Sequence, residues 1–172
     1  PHDYRRFLTE DGNGGAGPAY GLWPFGFWDP SDHRVEPWGD GDGEWTDRPS
    51  RPFPHASRWT LPAGLIASPP DDASWDELDD YARRTDELTW AVGLADGAIP
   101  IANLGCAIRT LLIVAGPERG NVWIDDRASD GGLYPAVTES HPERMTFTDL
   151  YNDWLDQAER TLDTGQRVPR LW

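Results

Sequence analysis

The run AIPIANLGCAIRTLLIVAGPERGNVWIDDR, residues 98–127, decides how this chain folds. It holds a short apolar stretch from Ile99 to Ala102, a longer one from Ile108 to Ala115, and a third segment from Asn121 to Asp125. Short apolar runs bounded by turn residues read as strands. GPERG, residues 116–120, joins the second to the third and supplies the proline and glycines a reversal needs. That pattern predicts a β-hairpin at the centre of a sheet.

Helical patterns flank this run on both sides. Upstream, SPPDDASWDELDDYARRTDELTWAV (68–92) sets two prolines ahead of Ser74 and Glu77, the spacing of a capping box, with acids in the first turn that suit the helix dipole. Trp75, Leu78, Ala82, Thr85, Leu88 and Val92 then share one face, which is expected to pack on the core. Downstream, Thr146 caps FTDLYNDWLDQAERTLDTG (147–165). Phe147, Leu150, Tyr151, Trp154, Leu155, Ala158 and Leu162 make the stripe, and Gly165 closes the helix. At the start, HDYRRFLTEDG carries Tyr4, Phe7 and Leu8 at helical spacing and ends at Asp11-Gly12. Helices before, between and after the strands, with no internal repeat, indicate one α+β domain over residues 1–172 with a largely antiparallel central sheet.

DGNGGAGPAYGL (11–22) contains Gly12, Gly14 and Gly17 at the G-x-G-x-x-G spacing of a dinucleotide loop. A phosphate cradle needs a strand running into the glycines and a helix leaving them. Here a helix precedes and an extended aromatic segment follows, so the glycines are expected to form a cap and tight turn. From Asp29 to Arg58 the chain is dense in Pro, Gly, Asp and Arg and reads as a long ordered loop, pinned by Trp38, Trp45, Phe53 and the adjacent Trp59.

Thirty acids against fifteen basic residues, all arginine, give a formal charge of −15. Such a field repels nucleic acid and anionic membranes and attracts basic surfaces, so a basic protein is the expected partner. One cysteine excludes an internal disulfide, and no apolar run approaches the ~18 residues of a membrane span, which together point to the cytosol. The start at Pro1 lacks a signal-peptide pattern and implies that residues upstream were removed.

Signs of catalysis and cofactors are absent. His2, His33, His55 and His141 lack partners at zinc-ligand spacing, so no metal is expected. DGDGE and DRASDG each half-resemble a calcium loop but place Trp45 and Ala128 where the loop needs other residues. Cys106, in LGCAI, is expected to be a small buried hydrophobe. Most of the 10 tryptophans, Trp75 and Trp154 among them, are expected on buried helix faces.

In order and spacing, DYRRFL, GNGGAGPAYGL, IPIANLGCAIRTLLIVAGPERGNVWIDDR and FTDLYNDWLD, with SRPFPH in the long loop, resemble the SUKH superfamily, which includes fungal cell-wall-assembly regulators and many bacterial immunity proteins. The resemblance implies an α+β domain without catalytic activity or cofactor, lacking here the family's amino-terminal helix. It makes Gly12, Gly14, Gly17, Tyr20, Gly21, Gly105, Gly116, Pro117, Gly120 and Trp123 fold signatures. Bacterial members are typically encoded beside polymorphic toxins, often nucleases, and neutralise them by direct binding. The expected activity is therefore that of an immunity protein. A regulatory or scaffold module is the alternative, and a carbohydrate-binding protein built on the tryptophans is a third reading. Asp40, Asp42, Glu44, Trp45 and Asp47 of the long loop are the first candidates for the binding surface, as an aromatic anchor ringed by charge. Asp125, Asp126 and Asp130 after the hairpin are the second.

Overall fold

A computed structural model describes residues 1–26, 47–91 and 93–165. Its centre is a four-stranded antiparallel meander in the order β1-β2-β3-β4: Ala98–Gly105, Ile108–Ile113, Val122–Asp126 and Gly132–Pro135. The expected hairpin is β2–β3, at the middle of the sheet, with Leu111 opposite Trp123 and Thr110 opposite Ile124. β4 has four residues and no readable period, and the sequence did not reveal it.

The near-continuous apolar character of β2 and β3 follows from burial on both faces. Leu112, Val122 and Ile124 point into one cluster with Tyr4, Phe7, Leu22, Ile101, Met145, Phe147 and Leu150. Their neighbours Leu111, Ile113 and Trp123 point into a second with Phe53, Ala95 and Leu133. Period-two alternation thus distributes one apolar run between two cores.

Among the described residues, long helices cover only the first face. α1 (His2–Glu10) and α3 (Phe147–Thr164) meet through edge-on contacts of Phe147 with Tyr4 and Phe7, ring centroids 4.9 and 5.1 Å apart. α3 starts at a capping box of Thr146 and Asp149 and ends at Gly165 in the left-handed conformation, as its sequence indicates. The second face is covered by an extended strap, residues 51–59. The Phe53 amide donates to the Ala115 carbonyl, and Trp59 pairs with Leu133 through two 2.8 Å bonds. This strap is the carboxy-terminal part of the loop expected over residues 29–58. Residues 29–46, with Trp38, lie outside the described residues.

α2 (Trp75–Thr89) has the predicted capping box, the Ser74 amide donating to Glu77 and the Glu77 amide to the Ser74 hydroxyl. Its expected burial is not observed. None of its residues is buried, and Trp75 is 82% exposed, Leu78 38% and Leu88 37%. Periodicity shows which residues share a face but not whether a second surface lies against it.

Candidate functional site

The glycine-rich stretch is a structural turn. α1 ends at Asp11, whose amide bonds Phe7, and Gly15 and Leu22 then close a small bridge with reciprocal bonds of 2.9 and 2.8 Å. Leu22 pairs onward with Ala102 on the edge of β1. At Gly21, with φ +95°, a Cβ would sit 2.5 Å from the Gly15 carbonyl oxygen, so the turn admits only glycine there. No helix leaves Gly12, Gly14 or Gly17 whose amino terminus could receive a phosphate. Tyr20, on the same turn, is exposed and lays its ring beside Gly105 at the β1–β2 reversal.

The GPERG reversal, with Gly116, Pro117 and Gly120, is an internal clamp. Glu118 accepts hydrogen bonds from Arg144 at 2.7 Å, from Asn121 at 3.1 Å and from the indole of the fully buried Trp123 at 3.3 Å. Burial alone would raise the Glu118 pKa, but these donors together hold the carboxyl below its usual range. Arg144 also donates to the Ala56 carbonyl at 2.8 Å and so fastens the strap to the hairpin.

Of the first set of candidate binding residues, Asp40, Asp42, Glu44 and Trp45 lie outside the described residues. Asp47 is exposed and paired with Arg51 at 2.9 Å. The second set is corrected by the structure. Asp125 is not a loop acid but a β3 residue, 2% exposed, whose two carboxylate oxygens each accept a 2.7 Å bond from Arg127. Asp126 is half-buried beside Tyr134, and only Asp130 is exposed. The three carboxylates therefore do not form one acidic surface.

Arg127 is the most heavily engaged side chain near this strand, at 6% exposure. Besides Asp125 it donates to the Thr89 carbonyl at 3.2 Å and lies 4.5 Å over the ring of Trp90. Thr89 ends α2 and Trp90 caps it, so a buried ion pair in the sheet fixes the carboxy-terminal end of this helix. The sequence held a signal for this pairing, an acid and an arginine two residues apart in DDR, but not for its burial.

α2 is one of two described helices on which acids and exposed large apolar side chains coincide, the other being α3 with Leu155 and Leu162. α2 carries six carboxylates against two arginines. Those arginines are already paired, Arg83 with Asp80 and Glu87, Arg84 with Asp80. Asp76, Asp79 and Asp86 carry no ion pair among the described residues. The partly buried positions are Tyr81, Thr85 and Thr89, a line at four-residue spacing, leaving Trp75, Leu78, Ala82 and Leu88 exposed.

Other chemistry-bearing residues serve local structure. Asp153 accepts bonds from Thr138 and Ser140 at 3.0 Å, and His141 lies 3.3 Å from both Asp149 and Asp153, which clamps the 138–141 turn onto α3. The serine contacts the aspartate rather than the histidine, so the three lack the relay of a nucleophile and its base. Cys106, expected to be buried, is exposed. It forms a two-residue reversal with Ala107, at φ of 50° and 61°. No group of three or more potential metal-ligating side chains occurs among the described residues, and none of their helices is long and apolar enough to cross a membrane. No family model, curated protein or solved structure matches this chain.

Proposed function

We propose that this chain is a non-catalytic protein-binding domain of the SUKH type, an immunity protein that neutralises a basic toxin domain by direct binding in the cytosol. The observation that carries the reading is a charge of −15 on a domain that also leaves large apolar side chains, Trp75 and Leu162 above all, at its surface. Charge of one sign draws an oppositely charged partner into fast encounter, and exposed aromatic and aliphatic anchors then supply the contact that holds it. A nuclease must present a basic face to its substrate, and an acidic protein that occupies this face blocks the enzyme without chemistry of its own. The ordered motifs from DYRRFL to FTDLYNDWLD support the same reading through their likeness to the SUKH superfamily.

Co-expression with the product of the neighbouring gene, which the proposal expects to be a toxin, tests it. Growth is restored, and the two proteins copurify as a complex, if it holds. Toxicity that persists with both proteins soluble and separate refutes it.

A further inference from the structure

We infer that α2 is the docking helix of this domain, and that its occupant is a protein groove with an apolar floor and a basic rim. The inference rests on the binding function proposed above and assigns it to one surface. Trp75, Leu78 and Ala82, three and four residues apart, are exposed beside the partly buried line through Tyr81, Thr85 and Thr89, with Leu88 exposed at its other edge, on a helix about 22 Å long at 1.5 Å per residue. This is the spacing by which an amphipathic helix lays anchors into a groove. The capping box and the Arg83 and Arg84 pairs that support α2 are all local. Arg127 holds its carboxy-terminal end, so the helix is presented with its orientation already fixed.

Charge selects the occupant. Asp79 stands one turn beyond Trp75, and Asp86 one turn beyond Ala82, so two carboxylates without ion pairs among the described residues border the apolar line. With a net charge of −4 on the helix, a second copy of the same face would meet it with like charge. Lysines or arginines at the rim of a groove would instead pair with Asp79 and Asp86 while the floor receives Trp75.

The test measures binding of the neighbouring gene's product, the toxin domain expected by the proposed function, by calorimetry to the wild type, to a W75S/L78S/L88S variant and to a D79R/D86R variant. All substituted residues are exposed, and unchanged circular dichroism and urea midpoints establish that the variants fold. The expected result is at least a hundredfold loss of affinity for the apolar variant, and at least a tenfold loss for the charge reversal with a shallower salt dependence. Wild-type binding with the apolar variant within threefold of it overturns the docking assignment and leaves the proposed function standing. Failure of the wild type to bind overturns both. A wild-type dimer that W75S/L78S/L88S converts to monomer assigns the face to a second copy. Faster amide exchange in α2 on deleting residues 166–172 assigns it to the chain's own carboxy terminus. Either result overturns the proposal.

Discussion

Replacing Arg127 with methionine tests how the fold presents α2. Arg127 and Asp125 form a bidentate pair at 6% and 2% exposure, with both short bonds at 2.7 Å. Removing one member of a buried pair costs ~3–5 kcal/mol, because the remaining charge is left without compensation. The Trp90 stacking and the Thr89 bond disappear with Arg127 as well. A loss of at least about 3 kcal/mol is therefore expected, a large fraction of a typical domain stability of ~5–15 kcal/mol. In urea, with a slope of ~1–3 kcal/mol/M, the midpoint moves down by roughly 1.5 M. A companion D125L/R127M protein removes both charges and recovers most of the loss, since an apolar pair of similar volume needs no compensation. Unfolding followed by tryptophan fluorescence and circular dichroism measures both. A loss below about 1 kcal/mol in R127M, or a double variant no more stable than the single one, refutes the reasoning.

Four further outcomes follow from local geometry. The β1–β2 reversal forces Cys106 and Ala107 to positive φ, so C106N/A107G is expected to raise stability by about 1 kcal/mol in the same unfolding assay. In the wild type, the Cys106 thiol should react with a colorimetric reagent without prior unfolding. At Gly97, with φ +71°, a Cβ would lie 2.5 Å from both the Arg51 carbonyl oxygen and the Phe53 amide nitrogen, so G97A should cost ~2–4 kcal/mol by lifting the strap. Burial of His55 holds its imidazole below the usual pKa, opposed by its 2.8 Å bond to the Leu94 carbonyl oxygen. The unfolded chain then binds the extra proton first. Stability contributed by His55 is complete above about pH 6.5 and declines as pH falls below it, and H55Q should flatten that part of the urea-midpoint profile.

The parts of this fold legible in the sequence are those whose signals are local. Ser74 with Glu77, Thr146 with Asp149, and Gly165 mark helix ends because capping is decided within four residues. The β2–β3 hairpin is legible because GPERG separates two apolar runs. Burial is not local, and the misreadings concentrate there. Trp75 and Leu78 obey the same periodicity as Phe147 and Leu150, yet only the latter meet a sheet. Asp125 looks like the first acid of a loop but is the fourth residue of a buried strand, its partner supplied by the chain's next turn. Cys106 has apolar sequence neighbours that point into the core while it sits on the reversal between them. The strap over the second face is proline-rich and extended, with no period to show that Phe53 and Trp59 close a core.

Amide hydrogen exchange, measured on the protein alone and in complex with the toxin domain proposed as its partner, tests the central claim most directly. Binding through α2 should place the largest added protection on residues 75–89, with W75S/L78S/L88S removing it. A complex that leaves those amides exchanging at their unbound rate, and protects another part of the chain instead, would contradict it.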